Sequence, residues 1–328
     1  MKVYDEELDH WFKLRSSSKS ITLTPLQLKL IDQKSKDLLK QTLSHPHLHN
    51  LLGILLIAFL LFVDIYSATL KGPTGLIILG LVHGYILYAL TVYTMHEGAG
   101  HKRIIIGNRP LALLANNVSR LFFADPLFYQ QNHPSHHQCL GTKDDKAFTQ
   151  LVLPQRILKS FLPGAGLLKF NDYKIHTGDE WTNSKILSLV LGLSYTSFLI
   201  FLSTQPLVPL IIILLIVSPW IGMTLDRLRE SSEHLLVVSQ DLPEARELGN
   251  TFWGYLIGGG PWGQPCHLSH HIAPALPWYQ QLRLSHTLKN ILTPEQKAYF
   301  FVNDGILEYP KLFIKLMKTN ALVFKQKV

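Results

Sequence analysis

The sequence predicts an all-α membrane protein: four transmembrane helices arranged as two hairpins, with a cytoplasmic helical cap that carries clustered histidines. Three observations predict it. Apolar residues are bunched into four long runs, Lys and Arg fall almost wholly on one side of those runs, and the clustered histidines fall on that same side. At 328 residues, 47% hydrophobic and only 16% charged, the chain is long enough for a sizeable core and too apolar to be disordered. Two cysteines exclude a disulfide scaffold and any Cys-rich zinc or Fe–S site. A net charge of +8 suggests nucleic acid only if it is clustered on a soluble face.

Residues 1–50 read as a cytoplasmic N-terminal segment, polar and mixed in charge, without a signal-peptide pattern. Spans follow at about 51–70, 75–95, 186–203 and 206–223. Asp64 is the one charge in the first, His83 the one titratable group in the second, and the last two are uncharged. Each run approaches or reaches the roughly 20 residues that cross a ~30 Å hydrocarbon layer as a helix. A soluble core helix seldom needs apolarity all round for that length. The connectors Lys71-Gly-Pro-Thr-Gly75 and Thr204-Gln-Pro206 are turn sequences, so the spans pair as hairpins. The membrane domain then covers 51–280, with its cap at 96–185 and 224–280, and 281–328 is a cytoplasmic C-terminal segment. Of 31 Lys and Arg residues only Lys71 lies on the connector side. By the positive-inside rule both termini and the long middle segment are expected to be cytoplasmic, and the +8 reflects topology and anionic lipid, so no nucleic-acid partner is expected.

Nine of the 16 histidines fall into groups on that side. His96-Glu-Gly-Ala-Gly-His101 begins where the second span ends, His133-Pro-Ser-His136-His137 lies in the middle segment, His234 follows the fourth span, and His267-Leu-Ser-His270-His271 lies beyond it. On an α-helix, offsets of 0, +3 and +4 place three imidazoles within roughly 100° of arc. The offset of five between His96 and His101 turns about 140°, so these two are expected to flank a site. Neutral imidazole suits zinc, copper, iron and nickel, and nine ligands exceed the capacity of one ion, which implies two metals. The zinc-protease pattern fails because position 100 is Gly, and Glu7-Leu-Asp-His10 is a lone Glu-x-x-His where the carboxylate di-iron bundles use two. No Cys-x-x-Cys or Walker sequence occurs, and Gly258-Gly-Gly-Pro-Trp-Gly263, although it has Gly-x-Gly-x-x-Gly spacing, reads as a hinge before the third cluster.

Four spans, a His-x4-His after the second and two His-x-x-His-His boxes resemble the integral-membrane fatty acid desaturase superfamily. Gly141-Thr-Lys-Asp-Asp145 and His271-Ile-Ala-Pro-Ala-Leu-Pro-Trp-Tyr279 resemble the runs that follow its second and third boxes. The resemblance covers about residues 50–280. It implies a non-haem di-iron centre with O2 as co-substrate, held by His96, His101, His133, His136, His137, His234, His267, His270 and His271. It implies a lipid-linked or thioester acyl substrate from the membrane. With no cytochrome b5-like domain in these residues, electrons are expected from a separate donor of ferredoxin or cytochrome b5 type. In the acyl-CoA branch an Asn one turn before the extra His holds a water, whereas Glu230 stands here, a departure from that branch. Hydroxylation or ketolation of an acyl chain or carotenoid on the same site remains open, as does a non-enzymatic membrane metal-binding protein.

Carboxylates near the boxes, Glu97, Glu230, Glu233, Asp144 and Asp145, are candidates to accept the second N–H of a ligand, or plain surface charges. Asp125, before Pro126, is expected to make an Asx turn. Cys139 and Cys266 read as small reduced core residues. His83 is expected to hydrogen-bond a neighbouring span, with Asp64 as partner. His10, His45, His47, His49, His176 and His286 lack box spacing and read as surface residues. Gly258-Gly-Gly260 reads as a flexible hinge. Leu111–Tyr129 and Leu151–Phe170 suit helices in the membrane interface, and Trp220, Trp253, Trp262 and Trp278 suit interfacial anchors.

Overall fold

A computed structural model describes residues 21–140, 182–234, 241–249 and 251–302, together with 311 and 314. In chain order the described helices are α1 (Pro25–Leu43), α2 (Pro46–Ala68), α3 (Gly72–Thr91), α4 (Arg109–Asn117), α5 (Pro126–Cys139), α6 (Asn183–Leu202), α7 (Leu207–Ile212), α8 (Ser218–His234), α9 (Phe252–Ile257), α10 (His267–Ile272), α11 (Trp278–Ile291) and α12 (Pro294–Phe300). α3 continues as a π-helix over Val92–Gly100, and a shorter π stretch, Ile213–Val217, joins α7 to α8. Among the described residues there is no β-strand, only a parallel bridge between Glu247 and Phe301.

Four helical stretches are long and apolar enough to cross a membrane: Pro46–Ala68, Gly72–Gly100, Asn183–Leu202 and Leu207–His234. They match the four expected spans, but the second and fourth run on past the apolar segment to carry His96 and His234 within the helix itself. The chain divides into two compact units. One, the span unit, comprises His45–His133 and Lys159–Asp226; the other, the terminal unit, comprises Met1–Ser44, Pro134–Leu158 and Arg227–Val328.

In the span unit, large apolar side chains point outward along the long helices, among them Phe59, Phe62, Leu81, Val190 and Phe201. Such a belt would be a liability in water and is the expected dress of a lipid-facing surface. The inner faces are tight. A Cβ on Gly84 would lie 2.8 Å from the Ser218 carbonyl oxygen, and the Ser218 hydroxyl donates to the Gly80 carbonyl oxygen at 3.1 Å, so small residues let α3 and α8 approach backbone to backbone. The expected partner of His83 is present: its Nδ1 lies 2.9 Å from Asp64 Oδ1, and the Tyr195 hydroxyl donates to Asp64 Oδ2 at 2.8 Å. One buried carboxylate thus joins α2, α3 and α6.

In the terminal unit, α1 and α12 open with matching capping boxes, Thr24 with Gln27 and Thr293 with Gln296. The two cap glutamines also bond each other, Gln27 Nε2 to Gln296 Oε1 at 2.9 Å, while Gln296 Nε2 donates to the Thr22 carbonyl oxygen at 2.9 Å. Around this lock pack Ile31, Leu268, Leu288, Leu292 and Phe300. Gly258-Gly-Gly260 is not a hinge. The three residues are buried in a closed turn in which the Gln264 N–H donates to the Gly258 carbonyl oxygen at 2.7 Å, and Gly259 and Gly260 take φ of 82° and 88°, the left-handed region that glycine enters without strain.

Candidate metal centre

The nine candidate ligands are all described, and each unit brings its own together. In the span unit, His96, His101 and His133 each offer a ring nitrogen, and these lie within 4.8 Å of one another. The expectation that His96 and His101 only flank a site is overturned by the local backbone. Val92–Gly100 is π-helical, and the His101 N–H donates to the His96 carbonyl oxygen at 3.1 Å, an i→i−5 bond. A wider turn returns residues five apart to one face, so their ring centroids stand 4.8 Å apart. His133 Nε2 comes within 2.7 Å of His101 Nε2, and Tyr129 stacks on the His133 ring at 4.6 Å. Gly100 makes room for both, since a Cβ there would lie 2.8 Å from His133 Cδ2 and 3.0 Å from Tyr129 Cε1.

In the terminal unit, His136, His234, His267 and His271 converge, all buried, with one ring nitrogen each within 4.8 Å of the others. His267 Nε2 lies 2.7 Å from His234 Nε2 and 3.1 Å from His271 Nε2. His270 and His137 face each other, Nε2 to Nε2 at 3.0 Å. The offsets of 0, +3 and +4 are realised on α5 and α10, but neither box acts as a single triplet. On α10 the residues at 0 and +4 join the tetrad, and the residue at +3 turns to His137. On α5 His136 at +3 joins it instead.

The tetrad fits a metal ion. Ligands about 2.1 Å from a metal stand about 3 to 4 Å from one another. The four nitrogens here, with pairs at 2.7 Å and 3.1 Å and all within 4.8 Å, are close enough to share one ion. Burial pushes His267 and His271 well below the usual imidazole range, and the neighbouring histidines add to it, so both are neutral with a lone pair to offer. Four imidazole nitrogens aimed at one point cannot all donate to one another; a cation satisfies them together.

Two of the candidate carboxylates stand behind candidate ligands, in the same pattern. Glu97 Oε1 lies 3.1 Å from His96 Nδ1 and is held by Arg103 at 2.8 Å. Glu233 Oε1 lies 3.5 Å from His267 Nδ1, and Arg229 donates to its Oε2 at 2.6 Å. In each case one ring nitrogen of a candidate ligand faces a carboxylate that a buried guanidinium holds in place. Burial lowers the Arg103 pKa, while Glu97 opposes that shift. Glu230 pairs with Arg227 at 2.6 Å and stands 3.6 Å from Arg229. Asp144 and Asp145 lie outside the described residues, as do His10, His176 and Leu151–Phe170.

Other expectations resolve plainly. Asp125 Oδ1 accepts from the Leu127 N–H at 3.1 Å, the expected Asx turn, and also from the Ser184 hydroxyl. Neither Cys139 nor Cys266 is in a disulfide; Cys266 is buried as expected and Cys139 half-buried, and burial raises the pKa of Cys266 well above normal. His45, His47 and His286 are exposed as expected, whereas His49 is buried, its Nε2 bonded to the Arg103 carbonyl oxygen. The latch of Asn50 on Ile106 explains why: it closes the Arg103–Ile106 loop over the start of α2. The four Trp residues named above are half-buried.

Sequence reasoning missed Tyr129, Arg103, Arg229, Gln281, whose Nε2 lies 3.3 Å from His270 Nδ1, and the Glu244 carbonyl oxygen, 3.1 Å from His234 Nδ1. Arg229 had a signal, standing four residues before Glu233 on a helix. Gln281 and Glu244 had none, because their partners are set by tertiary contact alone. No protein-family model matches the chain, and neither the curated proteins nor the solved structures give a match.

Proposed function

We propose that this protein is a membrane oxidoreductase of the integral-membrane fatty acid desaturase superfamily, using O2 and external electrons to place a double bond in a fatty acyl chain. The observation that carries this reading is the convergence of His136, His234, His267 and His271 in a chain with four helices long and apolar enough to cross a membrane. Two irons, when bound, would supply the oxidising power to take two hydrogens from adjacent methylenes while O2, two further electrons and two protons yield two waters. The tetrad would hold one iron. In the span unit, His96, His101 and His133 would contribute to holding the other.

The chain's own residues supply the surroundings. Glu97 accepts from the distal nitrogen of His96, and the Glu233 carboxylate faces that of His267 at 3.5 Å, an arrangement that would turn the other nitrogen of each ring toward a metal. Burial of the tetrad keeps bulk water from the reacting carbon. The Gln205 side chain donates to the carbonyl oxygens of Leu70 and Gly72 at 2.8 Å and 2.9 Å, which supports two hairpins whose short connectors share one side. The Lys and Arg asymmetry supports both termini and the histidines lying on the cytoplasmic face, where electrons and protons arrive from water. Leu113 and Leu114, exposed on α4, would seat that face in the interface.

Lipid profiling by mass spectrometry, after expression in a host that lacks such enzymes, tests the reading. A loss of two hydrogens from an acyl chain is expected, and it should vanish in His136→Ala together with bound iron. A gain of one oxygen would instead assign a hydroxylase or ketolase. Iron uptake without O2 consumption in the presence of reductant would make this a metal-binding protein.

A further inference from the structure

The third histidine box sits on a helix too short to hold itself. α10 has six residues, and its N-cap, Cys266, supplies no side-chain cap. A single turn is unstable alone, and its first N–H groups need acceptors. The acceptor comes from elsewhere in the chain. Glu247 Oε1 takes the Ser269 N–H at 2.9 Å and also the Ser269 hydroxyl. Ser269 lies two residues after His267, about 200° around the helix, so Glu247 works on the face opposite the ligands and is not a ligand itself.

Glu247 is fully buried and cannot withdraw. Its N–H donates to the Phe300 carbonyl oxygen and its carbonyl oxygen accepts from the Val302 N–H, both at 2.8 Å. On either side, the Leu248 N–H donates to the Pro265 carbonyl oxygen and the Arg246 N–H to that of Glu233, again at 2.8 Å. The Glu244 carbonyl oxygen faces His234 Nδ1 at 3.1 Å. The segment 244–248 therefore ties the end of α8, with His234, to the start of α10, with His267.

We propose that Glu247 is a positioning residue for the metal centre, capping α10 from the opposite face and thereby fixing where His267, His270 and His271 point. This rests on the reading of those histidines as metal ligands.

The test is anaerobic titration of the purified, metal-free, full-length protein with Co2+, followed by its visible absorption, in wild type, Glu247→Gln, Glu247→Ala and Glu247→Met. Gln keeps an acceptor for the Ser269 N–H and should bind cobalt within about two-fold of wild type with the same bands. Ala, and Met, which keeps the side-chain volume, should bind about ten-fold or more weakly, with shifted bands. Wild-type affinity and spectrum in Met would overturn the proposal. So would a Gln variant as impaired as Met, since then the acceptor is not what matters. If Ala does not fold, the comparison of Gln with Met decides. Wild type that takes up cobalt yet leaves host lipids unchanged would refute the desaturase reading and leave this one standing; wild type that takes up none would overturn both.

Discussion

At the scale of single residues, the centre depends on charges that would be costly if left alone. Arg229 and Glu233 are buried together, with side-chain exposures of 10% and 1%. Removing the guanidinium strands the carboxylate and its hold on His267, at a cost of about 3–5 kcal/mol. Arg229→Ala should therefore show a clear fall in Tm of the metal-free protein, and a mere few tenths of a degree would contradict the pairing. Glu247 gives a pH signature. Burial pushes its carboxyl from 4.5 up to about 8, against the pull of the Ser269 hydrogen bonds and Lys289. A folded-state value above the unfolded one means that stability is full below 4.5 and declines as pH rises toward about 8. Glu247→Gln, which has no proton to lose, should lack that part of the decline when Tm is followed from pH 5 to pH 9. Cys266 and Lys289 are the titratable neighbours that face it, and burial holds the Cys266 thiol well above its ordinary value.

At the scale of elements, a π-helix is what makes His-x4-His a site. Five residues overshoot one α turn, and the wider π turn takes up the excess. Its small residues then let α5 close in. Gly100→Ala would drive a Cβ into His133 and Tyr129, with no flexible chain end to yield. Metal affinity should fall about ten-fold, read by iron content after dialysis against a graded chelator. Gly107→Ala is the control for a glycine outside the site: its Cβ would meet nothing within 4 Å, although φ of 73° makes it strained. If both variants hold iron equally, close packing at Gly100 does not position His133. The box spacing on α5 and α10 was legible in the sequence because an α-helix has a fixed period. The path of the first box was not, since no local residue pattern separates a π turn from an α turn.

At the scale of the whole molecule, the four spans and the side on which charge gathers describe a topology that labelling can check. Single cysteines at Lys71 and Gln205 should react with a membrane-impermeant thiol reagent from the face opposite to one at Lys36, in intact cells against inverted vesicles. Labelling of all three from one face would refute the hairpins. Within the bilayer, Asp64 joins His83 and Tyr195 from three helices. Asp64→Ala strands two polar groups at that depth and should lower stability by about 1–2 kcal/mol in detergent, seen as reduced Tm.

Sequence by itself determined the spans, the sidedness of charge, the nine histidines and two of the carboxylates beside them, because hydrophobic length and helical period are local properties of the chain. It also paired His83 with Asp64, since a lone polar group in an apolar span needs a partner. Only the tertiary structure decided which histidine meets which. The tetrad takes His136 from one box, His267 and His271 from another and His234 from the end of a span, residues more than 100 positions apart at the extremes. That grouping follows from how α5, α8 and α10 pack, and from a segment, 244–248, that carries no motif of its own. Packing also turned an apparent glycine hinge into a closed turn and buried His49, because backbone hydrogen bonds left unmet by short elements must find partners wherever the fold brings them.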